Sequence, residues 1–253
     1  MSATAPRALV AGLGLIGGSI GQALRARGWH ISYIDPHVDL TDAQRAGAAD
    51  SRVDDVRGAD IVIVAAPVDA ALAMVQQMPL VASTSVCSVM SPLRRIAAER
   101  KLPFVAGHPM AGSQESGLAA ARPDLFGGKT WFVDGEDALV SRVIRDCGAK
   151  EERVDAETHD RAVAITSHLP QLLSTALGAL MHEHGDAKFA GSGLATFLRL
   201  AGSDASVWSP VFEANRENVS AALADVLRIA QQIVDGDAEA FTRAKRAVSK
   251  IKS

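Results

Sequence analysis

The residues best suited to chemistry lie in the run Gly107-His108-Pro109-Met110-Ala111-Gly112-Ser113-Gln114-Glu115-Ser116-Gly117. An imidazole titrates near neutral pH and can hold or pass a proton. Here it stands between glycine and proline, directly after the apolar segment Leu102 to Ala106. His108 is therefore expected just past the carboxyl end of a strand, the edge at which open α/β sheets bind ligands. Pro109 fixes its own φ, and Gly112 and Gly117 let the backbone come close to a small ligand. An ordinary turn carrying a surface histidine is the competing reading. Two more histidines, His159 in Thr158-His159-Asp160 and His168 in Ser167-His168-Leu169-Pro170, fall on one predicted helix. Nine positions apart, they are separated by about 13.5 Å of helix rise and cannot share a ligand. His159, near the helix start, reads as a capping or surface residue. His168 precedes a proline that frees a carbonyl and kinks the helix, which suits either a functional histidine or a core one bonded to a carbonyl. Arg199, in Thr196-Phe197-Leu198-Arg199-Leu200, is a lone cation among apolar neighbours. A buried guanidinium needs an anion, and its planar fork suits a carboxylate.

Positioning these groups requires a scaffold, and the first 150 residues spell one. Ala8 to Ala11 reads as a strand, Gly12-Leu13-Gly14-Leu15-Ile16-Gly17-Gly18 as a glycine turn, and Ser19 to Arg27 as a helix. In such a fingerprint Gly12 makes the tight turn, Gly14 lets the backbone approach a pyrophosphate, and Gly17 allows helix–strand packing. The helix amino terminus, from Leu15 and Ile16 onward, offers N–H groups to phosphate. The next apolar run, Ile31 to Ile34, ends in Asp35, eighteen residues past Gly17. A carboxylate there accepts from both ribose hydroxyls and repels a 2′-phosphate, so NAD is favoured over NADP. The alternative is that Asp35-Pro36 merely begins a turn.

Asp60 to Ala66 is a continuous β-branched strand signal of the kind a buried parallel sheet requires. Pro67 stops it at the same sheet edge as the glycine turn, placing Ala66 and Pro67 near the cofactor, and Val68 to Met78 reads as a helix. Thr84 to Val89, Leu102 to Ala106 and Lys129 to Val133 are further strands, with helices from Ser91 to Arg100 and from Glu136 to Cys147. The alternation predicts an N-terminal Rossmann-type, doubly wound sheet over residues 1–153. From Asp155 the pattern turns helical: Ala156 to about His184, Trp208 to Val234 and Ala238 to Lys250, with a shorter helical piece between glycine-rich stretches. An all-helical C-terminal domain over 154–253 is expected. Its first helix carries an apolar face of Ile165, Leu169, Leu172, Leu173, Ala176, Leu177, Ala179 and Leu180, wide for one neighbour. Burial against another subunit and packing within the chain are both open.

Composition narrows the function classes. Net charge is −3 with basic residues scattered, and aromatic content is 4%, so neither an electrostatic nucleic-acid surface nor base-stacking platforms are expected. No stretch is long and apolar enough to span a membrane. The glycines at 12, 14, 17, 18 and 21 fit a turn entering a helix better than the apolar core of a secretory signal. Cys87 and Cys147 have no metal-ligand spacing and read as free thiols of a cytoplasmic protein.

Taken together, these residues resemble the prephenate and arogenate dehydrogenase family of tyrosine biosynthesis, over nearly the whole chain. The resemblance rests on Gly12 to Ser19, on Gly107 to Ser113 with Ser116-Gly117, and on Leu125-Phe126 before Trp131. It extends through Thr158-His159-Asp160, Ser167 to Pro170, and Arg199 followed by Trp208 and Asn215. It implies a nucleotide-binding domain followed by a helical dimerisation domain, an active site in the cleft between them, and NAD-dependent oxidative decarboxylation. On that likeness His108 is the catalytic histidine, Ser88 orients it and touches the substrate hydroxyl, Arg199 holds a substrate carboxylate, and His168 is a second substrate-side histidine. Ser113 and Gln114 join the substrate side, and no metal is implied.

The chain departs from the family pattern where an aspartate and a lysine usually flank the serine. Here the block reads Ser85-Val86-Cys87-Ser88-Val89-Met90. Gln114 stands where a glutamate is frequent, and Thr196 where an aspartate is common. Loss of a nearby carboxylate favours prephenate over an amino-bearing substrate. The alternatives are a dehydrogenase of arogenate, a dehydrogenase of 4-amino-4-deoxyprephenate, and a non-catalytic NAD-binding descendant. A β-hydroxyacid dehydrogenase would need a lysine on the interdomain helix, and none precedes Lys188.

Overall fold

A computed structural model describes residues 5–113 and 115–251. Through Val163, and again over Ser203–Ala214, the chain forms one compact unit; Ala164–Gly202 and the residues from Asn215 onward form a second.

The first unit is built on eight strands: β1 (Arg7–Ala11), β2 (His30–Ile34), β3 (Ser51–Arg52), β4 (Ile61–Val64), β5 (Ser83–Ser85), β6 (Phe104–Pro109), β7 (Thr130–Asp134) and β8 (Lys150–Arg153). They lie in the order β3-β2-β1-β4-β5-β6-β7-β8. All neighbours are parallel through β6, β7 runs antiparallel to β6, and β8 is parallel to β7. The order reverses between β1 and β4, which opens a crevice at their carboxyl ends, the usual ligand position of such sheets. Helices α1 (Leu15–Arg25), α2 (Leu40–Arg45), α3 (Val68–Gln77), α4 (Ser91–Glu99), α5 (Ala138–Asp146) and α6 (Ala156–Val163) complete the alternation. Alternate residues of one strand serve opposite cores, as the two-residue period requires. Ala8 and Val10 of β1, with Ile61 and Ile63 of β4, pack with Ile20, Leu24, Val143 and Ile144, whereas Leu9, Ala11, Val62 and Val64 pack with Val75, Leu93 and Ala97.

Several boundaries differ from the sequence-based expectation for physical reasons. Helix α1 starts at Leu15, not Ser19, and takes Gly17, Gly18 and Gly21 inside it. Each lies where a Cβ would strike a neighbour: Gly12 O, the Leu118 and Ala121 side chains, and Ala48 O, respectively. Strand β6 runs on through His108 and Pro109 because β7 pairs with it antiparallel from Ala106 to Pro109, so His108 sits within a strand and not after one. Strand β5 stops at Ser85, leaving residues 86–90 as a turn. Strand β8, Lys-Glu-Glu-Arg, carries no apolar signal. It forms as an exposed edge whose charges discourage pairing with another chain.

Of the remaining helices, α7 (Leu169–His184), α8 (Ser192–Phe197), α10 (Arg216–Val234) and α11 (Glu239–Ile251) belong to the second unit, and α9 (Ala205–Ala214) to the first. The long helix expected over Trp208 to Val234 is thus two, broken at Asn215. Pro170, near the start of α7, cannot donate to the carbonyl four residues back, and the chain passes through a π turn over Ala164–His168 immediately before it. Such turns recur at functional sites.

Candidate active site

The glycine turn is held from three sides. Gly12 adopts φ +93°, and a Cβ there would lie 2.6 Å from the Ala65 carbonyl, so β1 and β4 close on each other only through glycine. A Cβ on Gly17 would come within 1.9 Å of Gly12 O. The Asp35 carboxylate, at the end of β2, accepts from the Leu13 N–H at 2.7 Å and from the His37 N–H at 2.8 Å. Ala66 lies beside the turn, its carbonyl taking the Cys87 thiol at 3.8 Å, and Pro67 precedes α3 as its cap.

Gly14 differs from its neighbours. A Cβ built there meets nothing within 4 Å and its φ of −79° suits any residue, so neither packing nor backbone geometry demands a glycine. The first turn of α1 contains no acidic residue, and the N–H groups of Leu15, Ile16 and Gly17 have no carbonyl of their own helix within reach. Open space over Gly14 and a positive helix end fit a pyrophosphate. Asp35, half-buried at the adjacent strand end, retains lone pairs for two ribose hydroxyls. These residues fit a dinucleotide.

His108 is half-buried in β6. Its neighbour Gly107 is fixed by close packing, since a Cβ would lie 2.7 Å from Ser85 O and 2.9 Å from the Trp131 indole nitrogen. The His108 Nδ1 lies 2.9 Å from Nε2 of His159, with the rings edge-on at 86°. His159 Nδ1 in turn lies 2.8 Å from Oδ1 of Asp160. Asp160 accepts the N–H groups of Met90 and Ser91 at 2.9 and 2.8 Å. Burial pushes its carboxyl pKa up, but the bonds from His159 and from those backbone groups outweigh this and hold it below the usual range. His159 and Asp160 are 3% and 1% exposed. The expectation of a surface or capping His159 is overturned: the ring packs against Phe132 and forms the middle of a buried chain of hydrogen bonds. Adjacency of His159 to an acid in Thr158-His159-Asp160 was the available signal. What no spacing could give is that β6 would bring His108 to it.

Ser88 lies half-buried in the turn whose end Asp160 grips. Ser113 is exposed, its hydroxyl accepting the Glu115 N–H at 3.2 Å, and Gln114 lies outside the described residues. In the second unit His168 is fully buried. Its Nδ1 lies 3.1 Å from the Asn215 amide nitrogen, and Asn215 Oδ1 accepts from Asn218 at 2.7 Å. That fixes the Asn215 amide as the donor to His168, so a neutral His168 carries its proton on Nε2 and can donate it. Arg199 is exposed rather than buried among its apolar neighbours, because the short α8 and the 3₁₀ turn after it bury none of their residues.

The fold and these residues define the class, an α/β dinucleotide-binding protein with an appended helical unit. Residues 20–150 match the family described as prephenate dehydrogenase, nucleotide-binding domain, and residues 155–245 the prephenate dehydrogenase dimerization domain. The chain belongs to the prephenate dehydrogenase family. It is 32% identical to the "probable prephenate dehydrogenase" of Streptomyces niveus, with 91% of this chain and 70% of that protein covered. It is 28% identical to the prephenate dehydrogenase of Lactococcus lactis over 83% of this chain, and spans 65% of that relative's length. The solved prephenate dehydrogenase of A. aeolicus, in complex with hydroxyphenyl propionate and NAD+, superposes with TM-score 0.82 at 25% identity, covering 100% of this chain and 99% of that one.

Proposed function

We propose that the chain catalyses the NAD-dependent oxidative decarboxylation of prephenate to 4-hydroxyphenylpyruvate in tyrosine biosynthesis. The observation that carries this reading is His108, set in a paired strand and backed by His159 and Asp160, within a sheet whose glycine turn leaves room for a pyrophosphate. The similarity to a relative solved with NAD+ and a hydroxyphenyl acid supports it.

Gly12, Gly14, Leu15, Ile16 and Gly17 hold the pyrophosphate, Asp35 the ribose, and Ala66 and Pro67 line the same sheet edge. When held there, NAD would supply the hydride acceptor for the ring carbon that bears the hydroxyl. His108 takes the hydroxyl proton as that carbon becomes a carbonyl, and returns it to the phenolate oxygen once carbon dioxide has left. Aromatisation supplies the driving force, so these residues need to orient the ring and hold one proton. Ser88 orients His108 at the hydroxyl. Arg199 holds a substrate carboxylate through its planar fork, His168 donates from the substrate side, and Ser113 and Gln114 complete that side.

Residues 1–153 serve as the nucleotide-binding domain and 154–253 as the helical substrate and dimerisation domain. We read the protein as a homodimer through that helical domain. Ile165, Leu180, Phe197, Leu227 and Phe241 are 61%, 50%, 47%, 58% and 61% exposed in the single chain, more apolar surface than a helical unit of this size leaves to water. Among the described residues no helix is long and apolar enough to cross a membrane, and the assignment is to the cytoplasm.

The test is NADH or NADPH formation by the purified chain with prephenate, arogenate and the 4-amino analogue of prephenate, each with NAD and NADP. Turnover of prephenate with NAD, at least tenfold above the other pairings, is expected; no turnover with any of them overturns the reading. Light scattering checks the dimer, and a monomer at micromolar concentration rejects that part.

A further inference from the structure

His159 and Asp160 lie behind His108 with more burial and better hydrogen bonding than a passive pair needs. Four bonds run in series: His108 to His159, His159 to Asp160, and Asp160 to the N–H groups of Met90 and Ser91. The two backbone donors belong to the end of the Ser88 turn and the start of α4. Neither Ser85 nor Met90 brings a charge to that turn, so backbone bonds to Asp160 hold it. We propose that Asp160 is a positioning residue that acts in two directions: through His159 it fixes which nitrogen of His108 carries the proton, and through Met90 and Ser91 it sets the turn that presents Ser88. This deepens the reading of His108 as the proton acceptor and rests on it.

Counting donors and acceptors fixes the direction of each bond. An ionised carboxylate only accepts, so His159 Nδ1 must carry the proton that bonds Asp160. A neutral His159 then has a lone pair on Nε2, and the 2.9 Å contact makes His108 Nδ1 the donor to it. His108 is left with its lone pair on Nε2, the nitrogen at which any proton exchange with a ligand takes place. When the substrate O–H bond breaks, the proton forms the Nε2–H bond of His108. The resulting imidazolium donates through Nδ1 to His159, whose far nitrogen faces the carboxylate, so the new positive charge is balanced without leaving the chain. Return of the Nε2 proton to the phenolate oxygen restores the starting tautomers. His168, with Nδ1 accepting from Asn215, has the opposite tautomer, as befits a donor.

The proposal is tested first on the chain without cofactor or substrate. Histidine-labelled protein is examined by long-range proton–nitrogen correlation at mildly alkaline pH, with the seven histidines assigned by His108→Asn and His159→Gln. Both His108 and His159 are expected to carry their proton on Nδ1. Asp160→Ala removes the acceptor of His159 Nδ1 and should release both rings from the fixed Nδ1–H form. The matching kinetic result is a kcat lower by at least about tenfold, part of the roughly 10²–10⁴-fold that general acid–base catalysis contributes, with KM for both substrates within about threefold. If Asp160→Ala does not fold, His159→Gln decides. Its amide can donate to Asp160 and accept from His108, so His108 should keep Nδ1–H. His108 protonated on Nε2 in the wild-type chain, or unchanged tautomers and kcat in a folded Asp160→Ala, overturns the proposal. Absence of turnover in the wild type would instead remove the functional reading and leave the tautomer result to stand.

Discussion

Gly14 and Gly17 belong to one fingerprint but are glycines for different reasons, and a pair of alanine substitutions separates them. At Gly17 the added Cβ would sit 1.9 Å from Gly12 O and 3.0 Å from a Val10 methyl. A normal contact needs roughly 1.5 Å more, which only a shift of α1 away from β1 can supply. Overpacking of this kind typically costs about 1–3 kcal/mol, and backbone against backbone belongs at the top of that range. At about 2–4 °C per kcal/mol for a chain of this size, Gly17→Ala should lower Tm by roughly 6–12 °C. At Gly14 the Cβ meets nothing and φ is −79°, so Gly14→Ala loses at most a modest helix-cap preference, about 1 kcal/mol or less. Its methyl instead occupies the space over the helix end, and NAD affinity should fall at least about tenfold, or about 1.4 kcal/mol. Thermal melts of the chain without cofactor, followed by calorimetric titration with NAD, give both numbers. If Gly14→Ala binds NAD like the wild type, or melts lower than Gly17→Ala, the placement of the pyrophosphate over Gly14 is wrong.

Three further outcomes follow from the same geometry. Asp35→Asn keeps the bond from Leu13 but removes the charge that opposes a 2′-phosphate, so the ratio of kcat/KM for NAD over NADP should fall by about tenfold or more; an unchanged ratio would place the ribose elsewhere. Because the Asp160 carboxyl is depressed in the folded chain, its stabilisation is complete above the unfolded value near pH 4 and is lost as pH falls through the folded value. Urea unfolding of wild type and Asp160→Asn should therefore differ most near neutrality and converge towards pH 3, and a gap that widens in acid would refute the sign. Burial pushes the Cys87 thiol up to about 12 and raises Cys147 as well, so a thiol reagent at pH 8 should label both only at the rate of unfolding. Rapid labelling of native protein would contradict their burial.

The sheet was legible because its signals are local. Gly12 to Gly18, the Ile61–Val64 run and Pro67 each mark an element through their own chain neighbourhood, and the structure places them at one sheet edge. Elements stabilised only by a partner were not legible. Strand β8 has four charged residues and exists through pairing with β7. The extension of β6 through His108 likewise depends on β7, a strand 20 residues further on. The site shows the same division. Residues 108 and 159 carry imidazoles that anyone would mark, yet the ring of His159 is buried where Phe132 and His108 reach it from other elements. Arg199 errs the other way, since apolar neighbours in sequence implied burial that a short helix cannot provide.

The His108 imidazole is rooted in the ladder between β6 and β7, while the described residues among 110–113 and 115–117 lie outside the sheet. A side chain anchored in this way keeps its place whatever residues the chain beyond it carries. On the proposed function, variation in that segment would retune which substrate side chain is admitted, while His108 stays where the sheet put it. Substrate choice and reaction chemistry can then diverge independently among descendants of one scaffold.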